Sequence, residues 1–450
     1  MAELPSRIHI VGVGGSGMSG LAKLLAQSGR IVTGSDLRPS PGFAELADLG
    51  VEVWTGHRPE AMGAAQLVVA SSAIPDKDPE VVSAAERGIP VWRRPDLLDA
   101  LTDEMPAIGI TGTHGKTTST ALAVTGVKAT GRDPSFLLGG RMLALRTGAH
   151  LGERDLFILE ADEAFGTFLR LNLRALLVTN IEADHLDHYG SFEALSAAFV
   201  EVAEGTRGPV IACADDPGSR ALADTVGAVT YGTDPDSEWV LSDVQTQGPE
   251  VRFRLRGHGH DCEVRVPTPG AHVALNAAGV VAMLAELGFD PGEISAGLAD
   301  FAGLRRRFEV RGTIGGVDVI DDYAHHPTEI AATVAAARSQ HSGRVVAAFQ
   351  PHRYSRTAEH GATFGEALAT ADLVLVTDVY AAGEAPIPGV TGALVADAVR
   401  AFGTEVHYVA HRSELAAAVA STIAPGDLLL TLGAGDITGL ATELVELGER

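Results

Sequence analysis

The stretch Gly109-Ile-Thr-Gly-Thr-His-Gly-Lys-Thr-Thr-Ser119 constrains this chain most. Met105-Pro-Ala-Ile108 before it reads as the start of a strand, and Thr120-Ala-Leu-Ala-Val124 after it reads as helix. A strand, a Gly-rich turn and a helix start make a phosphate site, because the N–H groups of the turn and the positive helix end face the anion. Lys116 can reach terminal phosphates, and the Thr117 hydroxyl can ligate Mg²⁺. From Gly112 the spacing reads G-x-x-G-K-T, shorter between its glycines than the common phosphate loop. The alternative is an ordinary strand–helix turn holding a chance Gly-Lys-Thr.

The size of the chain, 450 residues, suggests about three domains at roughly 150 residues each. Net charge is −24, which argues against nucleic acid or an anionic membrane as the main partner. An anionic substrate then needs local cations or bound metal. Cys213 and Cys262 are the only cysteines, so neither a disulfide framework nor a cysteine metal cluster is expected. No basic-then-apolar leader is read at the start, and no apolar run approaches about 18 residues. A soluble, cytoplasmic protein is expected.

In chain order, Arg7-Ile-His-Ile-Val11 is a strand, followed by Gly12-Val-Gly14-Gly15-Ser16-Gly17 and a helix from Met18. This is G-x-G-x-x-G in a strand–helix context, opening a nucleotide-binding unit. A second strand ends near Asp36, which can accept a ribose hydroxyl. Alone, this pattern fits a dinucleotide such as NAD, another nucleotide, or tight helix–strand packing. Strands and helices then alternate, so the sheet should be mostly parallel. The pattern restarts near residue 105. Leu156-Phe-Ile-Leu159 is an apolar strand ending in Glu160-Ala-Asp162-Glu163, and Arg174-Ala-Leu-Leu-Val178 ends in Asn180-Ile-Glu182-Ala-Asp184-His185-Leu-Asp187. Hard oxygen ligands with an imidazole suit Mg²⁺; a solvated acidic loop is the alternative.

Val251–Arg256 and Cys262–Val266 alternate apolar and polar residues, predicting an antiparallel hairpin with one wet face. Its His258 and His260 are expected to be solvated. Asn276, alone among apolar and small residues of a helix over 272–287, faces a ligand or fills a packing gap. Arg305-Arg306-Arg307 is either a solvated basic face or a phosphate clamp. Four more apolar strands end in polar residues: Asp321-Asp322-Tyr323-Ala-His325, Gln350-Pro-His352-Arg353-Tyr-Ser-Arg356, Asp378-Val-Tyr380-Ala-Ala-Gly-Glu384, and Gly433-Ala-Gly435-Asp436. Side by side, such ends make a binding rim.

Gly112–Thr118 together with Asn180–Asp187 resembles the Mur ligase family, and so do Ser71-Ser72, Glu160–Glu163, Arg306–Glu309, Asp322–Glu329, Phe349–Thr357 and Gly433–Ile437. The resemblance runs along nearly the whole chain. It implies three α/β domains: a Rossmann-like one over 1–105 for the UDP end of UDP-N-acetylmuramate rather than NAD, a central ATPase-like one with an antiparallel hairpin region over 106–311, and a Rossmann-like one over 312–450 that closes on ATP and the amino acid. It further implies an amide-forming ligase, in the branch that joins L-alanine to the lactyl carboxylate through an acyl phosphate, with ATP and two Mg²⁺ ions. In that pattern Gly12, Gly14, Gly15, Ser16, Gly17, Asp36, Ser71 and Ser72 serve the UDP-sugar. Gly112, Thr113, His114, Gly115, Lys116, Thr117, Thr118, Asn276, Arg307, Asp322 and Tyr323 serve ATP. Thr117, Glu160 and His185 serve the metal, and Lys116, His185, His325, Arg353 and Arg356 line the reaction. A monomer or weak homodimer is expected, without nucleic acid or membrane.

The chain departs from that pattern in two places. Ala164-Phe165-Gly166 follows Glu163 where the family continues Ser-Asp, and Val273 follows His272 where an Asn is usual. A tripeptide-recycling ligase of the same family is the nearer alternative. An NAD-dependent oxidoreductase is the remoter one, since it leaves Lys116, Glu160 and His185 unexplained.

Overall fold

The computed structural model describes residues 4–40 and 42–448; the side chains of Ser16 and Asp187 are outside the described set. Three sheets carry the α/β fold that the alternation predicts. The first holds β1 (Arg7–Val11), β2 (Ile31–Asp36), β3 (Glu52–Thr55), β4 (Leu67–Ala70) and β5 (Val91–Arg93) in the order β3-β2-β1-β4-β5. Every pairing in it is parallel. The order reverses at β1, so the loops after β1 and β4 face each other at a switch point, where ligands of such sheets bind.

The second sheet has ten strands: β6 (Ala107–Thr111), β7 (Pro134–Met142), β8 (Thr147–His150), β9 (Glu153–Glu160), β10 (Leu173–Val178), β11 (Val210–Cys213), β12 (Val229–Gly232), β13 (Trp239–Gln245), β14 (Val251–Gly257) and β15 (His260–Val266). Their order is β15-β14-β13-β12-β11-β10-β6-β9-β7-β8. Strand β6 is flanked by β9 and β10, both parallel to it. The phosphate loop that follows β6 therefore has a strand end on either side. The third sheet holds β16 (Glu309–Ile314), β17 (Val317–Asp322), β18 (Val345–Phe349), β19 (Leu373–Thr377), β20 (Glu405–Val409) and β21 (Leu428–Leu432), ordered β16-β17-β21-β18-β19-β20. Only β16 runs antiparallel to its neighbour.

The chain forms two compact units: 1–242 with 254–264 and 275–301, and 243–253 with 265–274 and 302–450. In the first, the apolar residues of the first two sheets share one core, from Ile8, Ile10 and Leu21 to Leu137, Phe157 and Leu176. The helix Ser16–Gln27 joins them. A side chain on Gly20 would lie 2.6 Å from Leu137 Cδ1, and Lys23 Nζ donates to Thr147 Oγ1 at 2.7 Å. In the second unit, Val345, Ala347 and Phe349 face one core and Val346 and Ala348 another. The period of two buries both faces of β18, the mark of a parallel sheet covered by helices on each side.

Sequence reading missed β7 and β8. Gly139-Gly140 followed by Arg141 looks like a turn, yet the strand stays extended through it, pairing with β9 over 134–137 and with β8 at Met142. The wet-faced hairpin is present, with buried and exposed residues alternating along β14 and β15. Its histidines are exposed, as expected, and each also has a neighbour: His258 Nδ1 lies 2.9 Å from Glu286 Oε1, and His260 stacks on the buried Trp239. Among the described residues, no helix is long and apolar enough to cross a membrane.

Gly20→Val should crowd the helix against β7 and β8 and cost about 1–3 kcal/mol. The midpoint of denaturant unfolding should fall; an unchanged midpoint would mean the joint tolerates a side chain.

Candidate active site

The phosphate loop leaves β6 with its glycines in conformations that L side chains avoid. Gly112 has φ +130 and Gly115 φ +82. A Cβ on Gly112 would fall 2.1 Å from Thr179 Oγ1, and one on Gly115 2.6 Å from Asn276 Oδ1. Both positions thus require glycine for space as well as backbone freedom. The loop is held from the end of β10. Thr113 N donates to Asn180 O at 3.1 Å, His114 N to Asn180 Oδ1 at 2.8 Å, and Thr179 Oγ1 to His114 O at 2.6 Å. Asn276 is buried against Gly115, so its polar side chain belongs to this loop. Thr118 stands in the first turn of the helix Lys116–Ala129.

Lys116 Nζ donates to Gly112 O at 2.6 Å, to Thr113 O at 3.2 Å and to Glu163 Oε1 at 2.8 Å. Burial acts to lower its pKa, but the carboxylates of Glu163, Asp162 and Glu160 outweigh it and hold the ammonium charged. Burial, with Asp162 adding to it, pushes Glu163 up to about 7 against the pull of Lys116. Thr117 Oγ1 donates to Glu160 Oε2 at 3.0 Å, and Gly139 N to the same oxygen at 2.7 Å. His185, in a left-handed conformation at φ +55, places Nε2 4.0 Å from Glu163 Oε1 and 3.8 Å from Asp184 Oδ2. The structure therefore gathers Lys116, Thr117, Glu160 and His185, which are distant in sequence, about one point. The donor set suits a hard divalent cation. The Thr117 and Glu160 oxygens already adjoin, and Glu163 Oε2 is buried without a hydrogen-bond partner.

A cleft of about 380 Å³ runs from this point to the first glycine-rich loop. Gly15, Gly17, Ser71, Ser72, Arg94, Leu137, Glu160 and Phe165 are among its walls. Gly12 and Val13 hang from Ser35 O, and Gly12 turns with φ +82. Asp36 is at the predicted place, but its Oδ2 accepts from Gly14 N at 3.0 Å and its Oδ1 from Arg38 N at 3.2 Å. It braces the loop. The side chain of Ser16 lies outside the described residues. Ala164-Phe165 puts an aromatic ring on this cleft: Phe165 is 69% exposed at φ +56, its edge against His188. The second departure, Val273, is a buried core residue.

In the second unit, the ends of β17, β21, β18 and β19 lie side by side, as the rim predicts. Asp322 accepts from Phe308 N and Ala324 N, both at 2.7 Å, and burial raises its pKa to about 6 against Arg307. Arg306 and Arg307 lie 4.9 and 5.0 Å from the Tyr323 ring centroid. The basic cluster is not a solvated face as a whole: Arg306 Nη2 donates to Gly433 O at 2.5 Å. His325 Nδ1 lies 3.0 Å from Tyr323 O, and its ring meets His352 edge-on, which stacks on Tyr380. Arg353 Nε donates to Glu384 Oε1 at 2.5 Å, and Arg356 is buried on the helix Tyr354–Leu368. Sequence reading missed Gly139 beside Glu160 and Arg94 on the cleft wall, neither of which carried a signal. Glu384 closes the polar strand end that begins at Asp378, and the structure makes it the partner of Arg353.

Burial, with Arg356 and Arg353 nearby, lowers His352 from 6.5 to about 4. The unfolded chain therefore takes up this proton first. The stability from the neutral ring is complete above pH 6.5 and is lost as pH falls toward 4. His352→Gln should flatten the fall of the unfolding midpoint across that window; parallel curves would contradict a neutral, buried ring.

Comparison with known proteins matches three family descriptions in order: "Mur ligase family, catalytic domain" over 7–106, "Mur ligase middle domain" over 110–284, and "Mur ligase, glutamate ligase domain" over 306–435. The UDP-N-acetylmuramate–L-alanine ligase of Mycolicibacterium smegmatis is 45% identical over 98% of this chain and 94% of its own length. The crystal structure of the UDP-N-acetylmuramate-alanine ligase MurC from Thermotoga maritima superposes with a TM-score of 0.84 at 30% identity, covering 98% of this chain and 99% of that one. A murein peptide ligase from Psychrobacter arcticus shares the fold, with a TM-score of 0.73 at 23% identity over 98% of both chains. With these three family descriptions matched in order and a 45% identical relative covering 98% of it, the chain belongs to the Mur ligase family.

Proposed function

We propose that this protein is an ATP-dependent ligase that joins L-alanine to the lactyl carboxylate of UDP-N-acetylmuramate in peptidoglycan precursor synthesis. The observation that carries this reading is the cleft that runs from Gly15 and Gly17 to Glu160, whose carboxylate accepts from Thr117 of the phosphate loop. A sugar nucleotide lying along it has its diphosphate at one end and its carboxylate at the other, beside the groups that handle ATP. Residues 1–105 take the UDP end, 106–311 the triphosphate, and 312–450 the amino acid and the nucleoside end of ATP.

The carboxylate attacks the γ-phosphorus, the bond to the β-phosphate oxygen breaks, and ADP leaves an acyl phosphate. The amine of L-alanine attacks that carbonyl, and inorganic phosphate departs with the C–O electron pair. Lys116, held charged beside two loop carbonyls, stabilises the negative charge on the transferring phosphoryl group. Two Mg²⁺ ions, with Thr117, Glu160 and His185 as ligands, neutralise phosphate charge when bound. Gly112–Thr118 offer N–H groups and the helix end to the phosphates, and Asn276 stands against Gly115 beside them, where it meets the adenine end of ATP. In the second unit Arg307, Asp322 and Tyr323 serve the nucleoside. His325, Arg353 and Arg356 receive the amino acid and the acyl phosphate. The neutral His325 ring, held well below its ordinary value by burial, to about 3, adds no charge repelling the incoming amine.

Phosphate release with ATP, Mg²⁺ and UDP-N-acetylmuramate should depend on L-alanine and be weaker with glycine or L-serine. Release only with L-alanyl-γ-D-glutamyl-diaminopimelate would move the protein to the tripeptide-recycling branch. Lys116→Ala should raise the barrier by about 3 kcal/mol or more, a loss beyond 100-fold in kcat/KM; near wild-type turnover would remove it from the site. His185→Ala should shift the Mg²⁺ titration of activity to higher concentration, and an unshifted titration would contradict its place as a ligand.

A further inference from the structure

The two faces of the first sheet are covered differently. Ile8, Ile10 and Val32 turn into the main core of the first unit. On the opposite face the apolar layer is thin, with Val11, Met62, Val68, Ala70, Val81 and Ala84 as its buried members. Beside it lies a polar cluster that the reaction does not use. The helix Pro79–Glu86 brings Asp78, its cap, and Glu80, which are 4% and 0% exposed. Strand β1 brings the fully buried His9, and the turn after β3 brings His57, whose ring is open to solvent.

Donor atoms of His57, Asp78 and Glu80 all lie within 4.8 Å of one another. His57 Nδ1 is 3.3 Å from Asp78 Oδ2, and His9 Nε2 is 3.5 Å from Glu80 Oε2. That is the spacing of neighbouring ligands on one ion: two atoms each about 2.0–2.1 Å from a tetrahedral zinc stand about 3.3 Å apart. His9 Nε2 is buried without a hydrogen bond and points at Glu80. Both carboxylates are buried, and each faces a histidine rather than a Lys or Arg. Two buried charges of one sign are costly unless a cation offsets them. The outer contacts orient these groups as metal ligands are oriented. Asp78 Oδ1 accepts from Glu80 N at 2.9 Å, which leaves Oδ2 to the cluster. Glu80 Oε1 accepts from Arg58 N at 2.8 Å and Trp54 Nε1 at 3.3 Å, and Ser35 Oγ donates to Oε2. His9 Nδ1 lies 2.9 Å from Thr33 Oγ1, which aims Nε2 inward.

We propose that His57, Asp78 and Glu80 bind a transition-metal dication of the zinc class, with His9 Nε2 completing the set, at a site separate from the Mg²⁺ of the phosphate loop. Two imidazoles with two carboxylates suit such an ion, and a closed set of four is the form of a structural site. The ion does on this face what apolar packing does on the other. It pins the turn after β3 to the helix Pro79–Glu86 and offsets the two buried carboxylates. His57, at the surface, is the point of entry.

The test is calorimetric titration of the metal-stripped full chain with Zn²⁺ in excess Mg²⁺, for wild type, His57→Ala, Thr33→Val and Glu160→Gln. Absorption of the Co²⁺ form reads the ligand geometry. Wild type should bind Zn²⁺ at one tight site, and Co²⁺ should give the intense visible bands of a tetrahedral ion. His57→Ala should weaken this binding by about 100-fold or more, since it removes a ligand. His57 is exposed, so the thermal midpoint of that variant without metal should stay at the wild-type value. Thr33→Val, which removes only the group orienting His9, should weaken Zn²⁺ by about 10- to 100-fold. Glu160→Gln should bind Zn²⁺ as wild type does, which separates this site from the reaction site. Zn²⁺ should raise the thermal midpoint of wild type and leave that of His57→Ala unmoved. Wild type that binds no Zn²⁺ in excess Mg²⁺ overturns the proposal. Tight binding that survives His57→Ala, or that is lost in Glu160→Gln, overturns it too, by placing the ion on other histidines or at the reaction site.

Discussion

The ammonium of Lys116 is enclosed by oxygen: two carbonyls of its own loop and the carboxylate of Glu163. A buried charge of this kind persists only if its partners are held in place. Everything around it serves that end. The loop carbonyls point inward because Gly112 and Gly115 take conformations closed to other residues. The loop stays in that shape because Thr179 and Asn180 grip it from the neighbouring strand end. Glu163 follows Glu160 by three residues, so the strand that supplies the counter-charge also supplies the oxygen beside Thr117.

That arrangement depends on strand order. In a parallel sheet all carboxyl ends lie on one edge, so β9, β6 and β10 deliver Glu160, the phosphate loop and Asn180 to one place. The first sheet repeats the device with the loops after β1 and β4, and the third with the ends of β17, β21, β18 and β19. The helix Ser16–Gln27 ties the first two systems together. It begins at the glycine-rich loop and packs Gly20 on β7, whose Gly139 N–H reaches Glu160. A single short path of backbone thus runs between the two loops, and the cleft lies along it.

Much of this was legible in the chain. Apolar runs of four to six residues ending in Gly, Asp or His marked most strands and their functional ends, because a strand buried on both faces must be continuously apolar and must break where it meets ligand. The hidden parts follow a different logic. Strands β7 and β8 contain Gly139, Gly140 and Gly148, and they are held extended by pairing, β7 with β9 and β8 with β7. Asp36 sits where a ribose partner was expected, yet its oxygens hold Gly14 and Arg38, a use set by where the loop returns in space. Asn276 could have been packing or site until Gly115 came to rest against it.

By itself the sequence determined the α/β class, the two glycine-rich loops, the family, and which residue types could handle phosphate and metal. These follow from local rules, namely periodicity, turn chemistry and spacing within a few residues. Tertiary structure alone decided which carboxylate faces Lys116, that Asp36 braces a loop, and that His57, Asp78 and Glu80 meet behind the first sheet. Those outcomes depend on contacts between segments far apart in the chain. Asp78 and Glu80 read as an ordinary helix start until the fold buries both and brings a histidine to each.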